Sequence, residues 1–145
     1  MKIRSRIIPS LQITQNKLVK TEKFVRKKYV GDPINTIRVF NEKKVDEIAV
    51  TDISASKLKK GPDLCLIKKL ASECFMPLSY GGGINSFENA RDIFKLGVEK
   101  IILKSLFYKN IDEVKKLIEN FGSQSICLNI DYKYIFEQLV CNAYL

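Results

Sequence analysis

At 145 residues, with 46% hydrophobic and 28% charged residues, the chain has the length and composition of one folded globular domain. No run approaches the roughly 20 apolar residues that span a bilayer, and the start Met1-Lys2-Ile3-Arg4-Ser5-Arg6 has no signal-type apolar core, so a cytoplasmic protein with no membrane segment is expected. The formal charge of +9, from 25 Lys+Arg against 16 Asp+Glu, favours anionic partners.

In chain order, apolar runs alternate with helical stripes. Arg6-Ile7-Ile8-Pro9-Ser10-Leu11-Gln12-Ile13 reads as a first strand, with Pro9 better suited to a strand end than to a regular central ladder. A turn at Gln15-Asn16 and the extended Leu18-Val19-Lys20 follow. Asp32-Pro33 starts a helix, because the Asp side chain accepts from a first-turn amide and Pro loses nothing at the first helical position. Ile34, Ile37 and Phe40 mark its buried stripe. The second strand is Glu47 to Asp52, and its helix runs from near Asp63 to Glu73 with Leu64, Ile67, Leu70 and Ala71 facing inward.

The third strand, Met76 to Tyr80, opens onto Gly81-Gly82-Gly83. Ser86 caps the next helix, whose Phe87, Ala90, Ile93 and Phe94 recur at helical spacing, and Gly97 closes it. Lys100 to Leu103 is strand four. Helix four begins at Asn110, which with Glu113 has the form of a capping box; Ile111, Val114, Leu117, Ile118 and Phe121 form its stripe, and Gly122 ends it. Strand five is Ser125 to Asp131. Val45-Asp46-Glu47-Ile48 and Val98-Glu99-Lys100-Ile101 share one pattern, a faint internal repeat. The last residues, Tyr134 to Leu145, continue neither pattern; a short amphipathic helix and read-through after a disrupted gene are the two readings.

The order βαβαβαβαβ implies parallel strands covered by helices. Such units close into a barrel of about 250 residues, so the expected fold is α/β: a partial TIM-type (β/α) barrel of about four βα units plus a fifth strand. Open edges on strands one and five predict self-association.

A parallel barrel places chemistry at the C-terminal ends of its strands, where Gln12, Asp52, Ser79, Lys104, Ser105 and Asp131 are expected, with Arg6, Glu47 and Lys100 at the opposite end. The glycine triplet is either a plain turn or a backbone cradle for an oxyanion at a helix terminus. Lys104-Ser105 on the adjacent strand end adds a positive charge and a hydroxyl. Cys65, Cys74, Cys127 and Cys141 lie among apolar neighbours without a ligand pair, so structural burial is expected. With no histidine and no carboxylate cluster, neither a metal nor a cofactor is expected. The lysines are spread along the chain without an aromatic-basic signature, which disfavours nucleic acid; phosphorylated small molecules, a protein partner with acidic patches and lysine bias on solvated faces account for the charge equally well.

Arg6-Ile7-Ile8-Pro9, Lys20, Gly31-Asp32-Pro33, Asp46-Glu47, Asp52-Ile53-Ser54-Ala55-Ser56, Gly81-Gly82-Gly83-Ile84, Phe121-Gly122-Ser123-Gln124 and Ile130-Asp131-Tyr132-Lys133 together resemble the cyclase subunit of imidazole glycerol phosphate synthase, HisF. The resemblance covers residues 3 to 133 in order and corresponds to the N-terminal half of that barrel plus its fifth strand. It divides the chain into a half-barrel domain, 1–133, and an unmatched tail, 134–145.

The resemblance implies a synthase subunit of histidine biosynthesis. Such a subunit takes ammonia from a glutaminase (HisH-like) partner and uses it on a phosphorylated ribulosyl-formimino substrate. It implies two catalytic aspartates, of which the second is Asp131; the first falls on Gln12. An amide cannot exchange a proton near neutral pH, so Gln12 can orient a substrate but not act as general acid or base. Lys20 matches a loop lysine associated with ammonia use. Arg6, Glu47 and Lys100 match members of a charged ring at the ammonia entrance. Gly82, Gly83, Lys104 and Ser105 match one of two substrate-phosphate sites; the other site and the ring's fourth member belong to the other half of the family's barrel, so reduced activity is expected. The alternatives are a HisF-like branch serving amidino modification of surface sugars, towards which Gln12 leans, and a non-catalytic half-barrel.

Overall fold

The computed structural model describes residues 4–22, 26–135 and 138–141. The chain begins with an extended lead-in and β1 (Ser10–Thr14), which turns through Gln15 and Asn16, both at positive φ, into β2 (Lys17–Glu22). Two left-handed residues give a hairpin loop the twist that its strands need. β3 (Arg26–Gly31) extends the hairpin, and Asp32 then caps α1 (Pro33–Glu42) by accepting from the Asn35 amide at 2.9 Å.

The repeating units follow: β4 (Ile48–Asp52), α2 (Leu64–Glu73), β5 (Leu78–Gly81), α3 (Phe87–Lys95) and β6 (Lys100–Leu103). Next come the short α4 (Ser105–Lys109), α5 (Ile111–Phe121) and β7 (Ile126–Leu128). One sheet joins seven strands in the order β3-β2-β1-β4-β5-β6-β7, parallel from β1 through β7 and antiparallel at the β1–β2–β3 hairpins. Its ends do not meet, so the fold is a partial barrel of parallel βα units.

The two faces of the sheet differ in chemistry. Leu11, Ile13, Ile48, Val50, Tyr80 and Ile101 point towards the helices and are buried. The opposite, concave face carries two cross-strand rows, Ser10–Ala49–Ser79–Lys100 and Gln12–Thr51–Gly81–Ile102–Cys127. On this face Ser10, Ala49, Thr51 and Ser79, with Ile102 and Cys127, line a trough of about 360 Å³ that reaches Arg6, Glu47 and Lys100.

Several expectations need correction. β1 is not an edge: β2 covers the flank left open by β4, and the edges are β3 and β7. β3 and α4 had no periodicity to announce them; β3 is almost wholly exposed, and α4 is five residues long. On α2 the inward leucine is Leu66, 6% exposed, whereas Leu64 is 40% exposed, because the helix starts at Leu64 and its first residue lies off the packed stripe. Asn110 accepts from the Glu113 amide at 3.1 Å, but the Glu113 carboxylate accepts from the Phe87 amide at 2.6 Å, so it ties α5 to the start of α3 instead of closing a box. Cys65 is exposed, and Cys74 and Cys127 are half-buried, so none of the three is a fully buried structural thiol. Within the tail, β8 (Tyr132–Ile135) and β9 (Gln138–Cys141) pair antiparallel, a hairpin rather than a helix; residues 142–145 lie outside the described residues. No helix among the described residues is long and apolar enough to cross a membrane.

Candidate functional site

At the N-terminal end of the strands, Glu47 is the centre of a charge cluster. The chain delivers it just before β4, where the Ile48 amide donates to Pro77 O at 3.0 Å. Arg6 is held opposite by a double tie: the Asp46 amide donates to Ile7 O at 3.1 Å and the Ile7 amide donates to the Asp46 carboxylate at 2.8 Å. Glu47 Oε2 then accepts from Arg6 Nη2 at 3.0 Å and from Lys100 Nζ at 2.6 Å. Its other oxygen accepts from the Ser79 hydroxyl at 2.6 Å.

Burial opposes the Glu47 charge. The hydrogen bonds from Lys100 and Ser79, with the charges of Lys100 and Arg6, outweigh it and hold the carboxyl below the usual carboxylate range. The three residues expected together at this end are therefore brought together. Ser79 is a correction: it lies with them, not at the C-terminal end. β5 continues to Gly81, so Ser79 falls in the row of Ala49 and Lys100. The repeat of Val45–Ile48 in Val98–Ile101 corresponds to a shared contact: Asp46 donates its amide to Ile7 O in the lead-in to β1, and Glu99 donates to Leu78 O at the start of β5.

The C-terminal end holds two pairs. Lys104, just past β6, donates to Asp131 at 2.6 Å, both side chains being more than two-thirds buried. Gln12 Oε1 accepts from the Thr21 hydroxyl at 2.9 Å, a partner that sequence inspection missed because the hairpin register was not legible. Lys20 exposes its side chain on β2 opposite Lys28 and does not share the Gln12 face. Asp52 fixes its own loop, accepting from the Ser54 amide and hydroxyl and the Ala55 amide.

The glycine triplet is a close-packed crossing. Gly82 has φ +130° and a Cβ there would lie 2.7 Å from Asp52 O; Gly83 has φ +70° and would meet Lys60 O at 2.7 Å. Only glycine fits both the conformation and the space. Ser105 begins α4 directly after Lys104. No group of metal-ligating side chains is found among the described residues.

The family model described as histidine biosynthesis protein matches residues 6–143. The chain belongs to the histidine biosynthesis protein family. That match runs through the β8–β9 hairpin, past the boundary at 133 suggested by the sequence motifs. The chain is 50% identical over 131 residues to an imidazole glycerol phosphate synthase subunit HisF of Leptospira interrogans, covering 90% of this chain and 52% of that protein. It is 49% identical over 129 residues to subunit hisF2 of Pseudomonas aeruginosa, covering 89% of this chain and 51% of that protein. Both names are provisional. A subunit HisF of Clostridium botulinum, named without that reserve, is 38% identical over 131 residues, covering 90% and 52%. The chain spans about half the length of the curated relatives it matches.

Proposed function

We propose that the chain serves as part of a HisF-type synthase subunit. Ammonia from a glutaminase (HisH-like) partner enters at the Arg6–Glu47–Lys100 end, and a phosphorylated ribulosyl-formimino substrate is held at the other. The observation that carries this reading is one trough with the Arg6–Glu47–Lys100 charge cluster at its N-terminal end, lined beyond it by Ser10, Ala49, Thr51 and Ser79, with the Lys104–Asp131 pair at the C-terminal end of the strands. Small side chains leave passage for a molecule the size of ammonia. At the entrance, Phe75 is 85% and Ile7 64% exposed, an apolar rim suited to a protein partner.

In this reading Asp131 exchanges the proton, with Lys104 balancing its charge; Gln12 orients substrate without proton transfer. Gly82, Gly83, Lys104 and Ser105 hold one phosphate, and the functional unit is residues 1–133. The test pairs a titration with inorganic phosphate against an ammonia-supplied turnover assay. Binding at Gly82–Gly83 with turnover that falls at least tenfold in Asp131→Asn supports the synthase reading, whereas absence of any phosphate effect on the folded chain refutes it.

A second reading is a HisF-like subunit for amidino modification of surface sugars. One observation favours it: Gln12 stands where the resemblance implies a catalytic aspartate. Phosphate binding without turnover of the ribulosyl-formimino substrate selects it.

A further inference from the structure

The carboxylates at the two ends of the strands are held in different ways. Glu47 is fixed from three sides, by Arg6, Lys100 and Ser79. Asp131 meets Lys104 at 2.6 Å, and among the described residues no other cation forms an ion pair with it. It stands in the segment between β7 and β8, outside either strand.

Register sets Lys104 between that carboxylate and the glycine crossing. Gly81 pairs with Ile102, so Gly82 and Gly83 leave β5 alongside Leu103 and Lys104. On the other side Leu103 pairs with Leu128, and the Asn129 amide donates to Leu103 O at 2.8 Å, which carries the chain past β6 to Asp131. Leu103 is buried in the core, and the alternation of a strand turns the next side chain, Lys104, to the concave side. Ser105 follows directly and begins α4.

We propose that Lys104 is a positioning residue that couples phosphate occupancy to Asp131: a phosphate group seated at Gly82, Gly83 and Ser105 takes the ammonium that the carboxylate holds. The proposal rests on the reading of the substrate as phosphorylated. Two anions that share one cation oppose each other, and solvent screens them weakly here because both side chains of the pair are more than two-thirds buried. A carboxylate deprived of its counter-charge binds a proton more tightly. Asp131 is therefore a masked group that becomes a stronger proton acceptor when the phosphate arrives, so that proton transfer waits for a seated substrate. The linkage is reciprocal: if phosphate loosens the Lys104–Asp131 pair, removing the charge of Asp131 must tighten phosphate binding.

The test measures the affinity of the whole chain for inorganic phosphate by NMR titration, read at the amides of Gly82 and Gly83. Asp131→Asn should tighten binding about fivefold or more, the lower end of coupling between sites; a carboxylate that only props its loop would give no gain. Lys104→Met should weaken binding about tenfold, the worth of one charge-assisted hydrogen bond. Added to Lys104→Met, Asp131→Asn should change affinity by less than about twofold, since the ammonium for which the two anions compete is gone. Asp112→Asn removes an exposed carboxylate paired with Lys115 and should leave affinity unchanged.

A full gain from Asp131→Asn in the absence of Lys104 overturns the lysine as the link. Equal gains in Asp112→Asn and Asp131→Asn overturn the coupling as an effect of net charge. Phosphate binding by the parent with no gain in Asp131→Asn overturns the coupling and leaves the phosphate site standing. Silence of the parent and every variant overturns the phosphate reading and the coupling together.

Discussion

Replacing Glu47 by Gln keeps the shape of the side chain and removes the charge on which Arg6 and Lys100 converge. Breaking a fully buried ion pair costs about 3–5 kcal/mol because the abandoned charge stays dry. Here the partners are 54% and 27% exposed, so both rehydrate. The Arg6 contact then counts as an exposed pair, up to about 1 kcal/mol. The Lys100 bond counts as a hydrogen bond to a charged group, about 1.5–3 kcal/mol. Ser79 can still donate to the amide oxygen, so its hydroxyl loses little. The expected loss is about 2–3 kcal/mol, read from urea unfolding at pH 7 with unchanged slope. The pH dependence follows from the lowered Glu47 pKa. A carboxyl depressed in the folded state stabilises above its unfolded pKa, and that contribution fades as pH falls through the folded value. The gap between the parent and Glu47→Gln should therefore close as pH drops below the ordinary carboxylate value of 4.5. A variant within about 0.5 kcal/mol of the parent at pH 7, or a gap that survives acidification, would refute Glu47 as the organising charge.

Gly82→Ala should cost more than about 2 kcal/mol in urea unfolding, since it combines a positive φ with a Cβ 2.7 Å from Asp52 O; an unchanged midpoint would show that the crossing is loose. Leu66→Ala should cost about 2–5 kcal/mol and Leu64→Ala less than about 1 kcal/mol, so equal losses would contradict the helix face assigned to α2. Phe75→Asp should leave stability within about 0.5 kcal/mol, because the ring is 85% exposed, yet reduce binding of a glutaminase subunit at least tenfold by calorimetry. Full binding would remove Phe75 from that surface.

The regular parts of this fold were legible because their information is local. Asp32-Pro33, Ser86 and Asn110 each cap the helix expected of them, since capping depends on residues within one turn. Gly97 and Gly122 end their helices at positive φ for the same reason. The sign alternation of Arg6, Glu47 and Lys100 was readable from family motifs, and parallel strand direction then brings them together.

What the one-dimensional pattern could not decide was register, and register assigns ends and faces. Ser79 was placed at the wrong end because nothing in Met76-Pro77-Leu78-Ser79-Tyr80 states where β5 stops; the pairing with Ala49 and Lys100 does. The partner of Gln12 depends on how β2 is aligned on β1, and a shift of one residue would turn Thr21 away and Lys20 towards it. Local sequence thus determined the helices, their caps and the parallel βα order. The sheet's cross-strand alignment alone decided which side chains share the trough, because side-chain direction in a strand reverses at every residue.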